Sequence, residues 1–525
     1  MRRLIGIGLC GAGLAGCADV QAPPAGSDAV TASDQPQEPE PTAILYPLPS
    51  PPPAVLGSLA PRVYIRRAPS LSSAEIGALH LGSIVELASD EPAGYSGCRG
   101  GWLAVKPSGY VCQDETVTRD VATHPVLKLL ARYAGDFEAP APYRWVESKQ
   151  APLYRVVPTP QQQRQSEPGL ADYLARLERA RSGGRALPAA FADIDLAATP
   201  ASVGPPSFLT NGARSPLDAL LAPNDSRPRK SVVSARSTVA VLAEFFAHER
   251  SYWLTSDLLV IPKDKVAPKT PSAFAGVRLG TRVRLPLAFI RRDDAPKLRV
   301  AAAGPVVTAS LGPKERAELE PTGRSFPRSS YVELTGKSLT RNGRRYLETR
   351  DDGLYLEDDA RVAVVAEEPP RGFELAGGEK WIDVSIFRGT LVAYEGRRAV
   401  FASLISPGAM GYQRDADGSF AKYTTPTGTF RLEWKHRSTT MSPDPERPSY
   451  SLAEVPWTQF FHMPFALHAT YWHDRFGEPK SGGCINLSVA DAKWLFDWTE
   501  PRLPPGWHSV RSGGESGPGT WVRVR

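Results

Sequence analysis

The sequence predicts a mainly β, multidomain protein, and three observations carry that expectation. At 525 residues the chain is too long for one ordinary domain. Its 51 prolines and 45 glycines demand many turns and short elements rather than helical bundles. Short runs alternating apolar and polar residues recur within 62–118, within 236–372 and again from 380 onward. Hydrophobic residues make up 42% of the chain, enough for real cores. The net charge of +6 is a mild basic excess without a dense Lys/Arg cluster. It suits an anionic surface such as a cell wall, and no nucleic-acid motif accompanies it, so no nucleic-acid partner is expected.

The first residues, "MRRLIGIGLCGAGLAGC", run from a basic start through an apolar stretch to small residues ending at Cys17. This is an export signal over 1–16, too short to be a spanning helix. "LAGC" resembles the lipobox of bacterial lipoproteins, which implies lipidation of Cys17; a plain secretory peptide is the simpler alternative. Ala18 in place of an aspartate then favours the outer membrane, reached from the periplasmic side of the cell envelope. Residues 18–61 contain no Lys or Arg and are rich in Pro, Ala and Ser. Such a composition cannot offset its ordering entropy, so 17–61 reads as a lipid anchor followed by a tether. Pro-rich chain extends about 3.1 Å per residue and would reach on the order of 100 Å.

Next come "RVYIRRAPSLSSAEIGALHLGSIVEL" and "GGWLAVKPSGYVCQDE". Their short alternating runs, broken by Pro, Gly and Ser, read as a small antiparallel barrel over 62–118. The stretch resembles bacterial SH3-like modules, which implies contact with wall peptides; a structural spacer is the other reading. Cys98 and Cys112 lie within it. In an oxidising, exported compartment an even pair at short spacing reads as a disulfide, which leaves Cys484 as the thiol to explain.

Residues 119–235 combine helical spacing ("HPVLKLLARYAG", "GLADYLARLERARSGG") with loop-like stretches, and read as a mixed, partly linker-like region. Residues 236–372 are again strand-rich, as a second SH3-like or related β unit would be.

The chemistry lies in the last part, 376–525. "KWIDVSIFRGTLVAYEGRRAVFASLISPG" alternates through strands around a "YEGRR" turn, a hairpin signature. After "SGGCINLS", Ser488 and Asp491 form a helix-start signal, and Val489, Ala492, Leu495 and Phe496 make one apolar stripe. Three of the eight histidines, His462, His468 and His473, precede Cys484 closely. A neighbouring imidazole can take a thiol's proton and create a strong nucleophile. The same cluster, with Asp474, could instead hold zinc, or be ordinary sheet histidines beside a core cysteine.

"TPTGTF" followed by "LHATYWHDRFGEPKSGGCINLS" resembles the catalytic domain of L,D-transpeptidases of the YkuD type. The resemblance implies a β-sandwich-like fold with a short helix after the cysteine, and no cofactor or metal. It makes Cys484 the nucleophile and His468 the base, with the Ala469 carbonyl orienting the ring. Ser481, Gly482 and Gly483 become the oxyanion loop, with backbone N–H groups around Gly483 and Cys484 as donors. Tyr471, Trp472, His473 and Asn486 become substrate contacts. The chain departs from the family once, with Gly482 where a second histidine is usual.

Taken as implied, the enzyme attacks a peptidoglycan tetrapeptide stem, releases D-alanine and passes a thioester to an acceptor. An amine of a second stem gives a cross-link, water gives a carboxypeptidase, and a protein lysine attaches that protein to the wall. Two other classes stay open at this point: a wall-binding scaffold with weakened catalysis, and a zinc-dependent wall peptidase.

Overall fold

The computed structural model describes residues 53–184, 187–197, 199–210, 232–301, 318–366, 378–410, 423–442 and 450–525. The signal, Cys17 and most of the tether lie outside these residues. The described chain is mostly β, in five sheets.

Two of them make the sandwich that positions the site. A nine-stranded sheet runs Ile485–Leu487, Phe465–Ala469, Leu452–His462, Trp434–Met441, Ser509–Arg511, Glu75–Leu79, Val63–Arg66, Tyr110–Cys112 and Trp102–Ala104. A six-stranded sheet runs Val277–Arg278, Arg398–Leu404, Thr390–Glu395, Lys380–Ser385, Trp521–Val524 and Gly428–Arg431. Alternation sends one face of each inward, so Ile382, Val384, Leu391 and Phe401 share a core with Val455, Phe461, Leu467 and Ile485. The "YEGRR" turn closes a hairpin in which Glu395 pairs with Arg398, and Gly396 takes the positive φ (57°) that so tight a turn needs.

The helix Val489–Trp498 starts where the Ser488 hydroxyl accepts the Asp491 N–H at 3.1 Å, and it buries Val489, Ala492, Leu495 and Phe496. Its far end rests on Lys435, fully buried, whose ammonium donates to the carbonyls of Phe496 (2.6 Å) and Thr499 (3.0 Å). A cation there meets the negative end of the helix dipole. Desolvation outweighs that support and brings the lysine down to about 7.

Three domain boundaries drawn from the sequence need correction. Val55–Ser58, assigned to the tether, is a strand pairing with Ile84–Glu86 and Val117–Thr118, with Leu56 buried. The proline-rich composition ends at Pro53, and the apolar "VLGSL" that follows has area enough to fold.

The division at 235/236 cuts through a sheet. Arg144–Ser148 pairs with both Thr238–Ala247 and Val266–Lys269 in a five-stranded sheet. The rest of 236–372 is not one unit either: Leu287–Val365 forms its own seven-stranded sheet, while Val277–Arg278 edges the six-stranded one.

The 62–118 region, lastly, does not stand apart. Glu75–Leu79 pairs with Ser509–Arg511, and Trp507 and Val510 sit in the core formed by Ile65, Leu79, Leu103 and Val111. Gly77 has no side chain because Trp507 takes the space: a β-carbon there would lie 2.3 Å from the indole. Within the region Cys98 and Cys112 are joined by a disulfide.

Candidate active site

Cys484 and His468 meet on neighbouring parallel strands. Leu467 pairs with Ile485, His468 with Asn486 and Ala469 with Leu487. Leu467, Ala469, Ile485 and Leu487 all point into the sandwich core. By alternation His468 and Asn486 point to the opposite face, and one step before Ile485 the same rule puts Cys484 there too. The register therefore sets the cysteine diagonally across from the histidine.

The imidazole is buried, and its Nδ1 lies 2.9 Å from the Ala469 carbonyl oxygen. A carbonyl only accepts, so Nδ1 carries the proton and Nε2 keeps a free lone pair. That is the tautomer a base needs. Burial lowers His468 to about 4, partly offset by this hydrogen bond. Burial likewise pushes the Cys484 thiol up to about 11, against a weaker downward pull from the Ala466 backbone. Both groups are therefore neutral near pH 7.

The loop ahead of the cysteine is held as a tight turn. The Ser481 hydroxyl donates to the Cys484 carbonyl and accepts the Gly483 N–H at 3.0 Å. The Gly483 amide, expected among the oxyanion donors, is thus committed to Ser481. Gly483 has φ +127°, and a β-carbon there would meet the Phe465 ring at 2.4 Å, so the position requires glycine. The loop is anchored by Pro407–Ala409: the Ser481 N–H donates to the Pro407 carbonyl (3.0 Å) and the Ala409 N–H to the Ser481 carbonyl (2.8 Å). "TPTGTF" enters here, with Thr425 Oγ1 accepting the Gly408 N–H at 2.8 Å. Gly482 itself is exposed.

The expected substrate contacts separate into two groups. Trp472 flanks His468, the two rings 5.8 Å apart. His473 is pushed down to about 4, chiefly by burial. Its Nδ1 accepts the Arg475 N–H at 3.2 Å, so the neutral ring is protonated at Nε2, which lies 3.0 Å from the Asn486 amide. That proton needs an acceptor, and the otherwise unpartnered Asn486 Oδ1 supplies it once the amide is turned by 180°. The seven-stranded unit braces this loop: Arg291 donates to the Gly477 carbonyl (3.3 Å) and Arg328 to that of Asp474 (3.4 Å).

Tyr471 does not belong with them. It follows Leu467 and Ala469 on the core-facing period, and it is buried. Its hydroxyl donates to the Ala453 carbonyl (2.7 Å) and lies 2.6 Å from Thr238 Oγ1, while its ring stacks on Trp145 at 4.1 Å. Tyr471 is a packing residue, and Trp145 and Thr238 are partners that local sequence does not reveal. The one hint was the alternation of "YRWVES". His462 is exposed and stacks on Phe430 at 5.2 Å, away from the base. Among the described residues no three His, Cys, Asp or Glu side chains converge as metal ligands do.

Comparison with known proteins gives a family match over the same part of the chain. Residues 379–524 match the family model of YkuD, the L,D-transpeptidase catalytic domain. A curated relative, the candidate L,D-transpeptidase YciB of Bacillus subtilis (strain 168), is 26% identical over 136 residues, which span 22% of this chain and 59% of that protein. Among solved structures, the L,D-transpeptidase of Xylanimonas cellulosilytica is 23% identical, covering 30% of this chain and 63% of that one at a TM-score of 0.21. The catalytic domain of the Enterococcus faecium L,D-transpeptidase is 18% identical, covering 28% and 98% at a TM-score of 0.20. Residues 379–524 of this chain are an L,D-transpeptidase catalytic domain of the YkuD type.

Proposed function

We propose that the protein is a cysteine-dependent L,D-transpeptidase acting on peptidoglycan tetrapeptide stems. The observation that carries the reading is the His468 tautomer: Nδ1–H held by the Ala469 carbonyl, with Nε2 free on the face that Cys484 shares. In this mechanism Nε2 takes the thiol proton as Sγ adds to the carbonyl carbon of the stem's diamino acid. The backbone amides of Gly482 and Cys484 receive the oxyanion, since that of Gly483 is committed. The intermediate collapses, the C–N bond to the terminal D-alanine breaks, and His468 returns its proton to the departing amine. An acceptor amine, relieved of a proton by the same ring, then attacks the thioester and restores the thiol. The acceptor is a second stem or a protein amine.

Intact-mass measurement after incubation with a carbapenem tests the nucleophile. The sulfur opens the lactam without a leaving group, so the protein should gain the full mass of the drug. Cys484→Ala should lose both this adduct and D-alanine release. An unmodified wild type would defeat the assignment.

A second reading, a peptidoglycan-binding scaffold with weakened catalysis, is favoured by the absence of a side chain at Gly482 and by the burial that holds the thiol at about 11. It requires that wild type stay unacylated while Gly482→His becomes acylated.

The export signal supports placement in the cell envelope, lipid-anchored through Cys17 to the outer membrane, with the SH3-like stretch contacting the wall. Cys17→Ser should move the protein from the membrane to the soluble fraction without changing its acylation. Retention in the membrane would sink the anchor.

A further inference from the structure

The loop before the nucleophile presents an opening at Gly482. Among the described residues outside the loop's own chain neighbours, a β-carbon built there meets one heavy atom within 4 Å, Tyr423 Cδ1 at 3.8 Å. The ring of Tyr423 therefore lies in van der Waals contact with the β-carbon position of residue 482. Its backbone is held in place: the Tyr423 carbonyl accepts the Met410 N–H at 3.1 Å, and the next carbonyl, of Thr424, lies 2.8 Å from the β-carbon position of Gly483.

Tyr423 also adopts φ +65°, the left-handed region that a bulky residue rarely occupies. Residues held this way concentrate where a site needs a side chain in one place. Tyr423 is 40% exposed and Met410 beside it 46% exposed. An aromatic ring and a thioether side chain are thus partly exposed beside the turn that delivers Cys484.

We propose that Tyr423 is a specificity-determining residue of this site, its ring forming with Met410 the wall on which the acyl donor's diamino acid lays its aliphatic side chain. The inference rests on the transpeptidase reading for the identity of that donor. A methylene chain gains from apolar contact along its length while its charged end stays in water. An aromatic face supplies that contact with few rotamers to freeze. The ring is the working part, and the phenolic hydroxyl is not required.

The test separates binding from chemistry. Cys484→Ala protein should bind an isolated wall tetrapeptide without turning it over, and its Kd can be measured by calorimetry. Adding Tyr423→Ala should weaken binding about 3- to 10-fold, the scale of one aromatic contact. Alanine pays the same left-handed backbone cost, so the comparison isolates the ring. Tyr423→Phe should bind as the parent does.

In the active protein, Tyr423→Ala should raise KM by a similar factor and leave kcat less affected. Its effect and that of Gly482→His should be non-additive, because a side chain at 482 would touch the Tyr423 ring. Unchanged Kd with Tyr423→Ala overturns the proposal. Equal loss with Tyr423→Phe overturns the ring's role in favour of the hydroxyl. Inactive wild type that still binds the peptide through Tyr423 would sink the enzyme reading alone.

Discussion

Two loops of this molecule carry cysteines among glycines, and they use them in opposite ways. In the 98–112 loop the glycines bring two segments of backbone together. A β-carbon at Gly100 would lie 1.9 Å from the Gln113 carbonyl, and the Gly101 carbonyl accepts the Gln113 N–H at 2.9 Å. The close approach ends in a cross-link between Cys98 and Cys112. In the 481–484 loop, Gly483 again allows a close approach, but to the Phe465 ring, and the remaining thiol is free. Two sulfurs are joined to hold the chain, while a third is kept neutral beside a neutral imidazole. The difference shows that glycine sets only the approach, and the neighbour decides the chemistry.

The sharpest way to break this contrast is His468→Ala. If the ring is what separates a reactive thiol from an inert buried one, acylation should slow by about 10²- to 10⁴-fold, the range of one general acid–base group. Thermal unfolding should show the domain still folded. A rate within threefold of wild type would make Cys484 no different from any accessible thiol.

Next in size is the removal of the cross-link. Cys98→Ser with Cys112→Ser should lower unfolding free energy by about 3 kcal/mol, as expected for a loop of about 15 residues. Carbapenem acylation should persist, and denaturant titration with acylation as a parallel readout would show whether the two loops are independent. Loss of acylation in the folded variant would mean that the staple also holds the site.

The contrast is also sharpened by pH dependence, which sums over several buried groups. Burial holds His436, His468 and His473 at about 4 in the fold, below the usual histidine value that the unfolded chain recovers. The unfolded state therefore binds more protons as pH falls from about 6.5 toward 4, and stability should drop there by about 1.4 kcal/mol per pH unit per histidine. Cys484 works in the other direction: raised to about 11, it takes stability from the fold as pH climbs from about 9 to 11. Lys435, at about 7 in the fold, opposes it by adding stability up to about 10.5, so the alkaline limb is read as wild type against Cys484→Ala. Chemical denaturation across pH checks both limbs. Asp491, raised by burial to about 6, opposes the histidines over the acid range, so the check there is the difference between wild type and His468→Ala. An acid limb no shallower in the variant would show that this ring accepts its proton within the fold.

What could be read from the sequence was local. The histidine, the cysteine, the capped helix after Ser488 and the "YEGRR" hairpin each lie within a few residues of the features that specify them, and turn and alternation rules reach that far. The Trp145–Tyr471 stack and the pairing of Glu75–Leu79 with Ser509–Arg511 join distant parts of the chain, and local alternation can mark an inward face but not its partner. Tyr471 was misplaced for a correctable reason. Nearness to His468 in sequence suggested the substrate, whereas the period-two series Leu467, Ala469, Tyr471 already pointed it to the core. Val55–Ser58 was hidden by averaging, a four-residue strand beside a long proline-rich run. Tyr423 had no signal at all before its ring was placed next to Gly482.

The pairing of Glu75–Leu79 with Ser509–Arg511 bears on how this protein can be divided. A fragment cut to the boundaries of the family match would leave Ser509–Arg511 as a bare strand edge and strip the cover from Trp507. Such an edge is a template for pairing with other chains. The smallest piece that can be expressed, crystallised or transplanted is therefore larger than the piece that carries the chemistry. Any truncation intended to isolate the active site has to take the strands of 55–118 along with it.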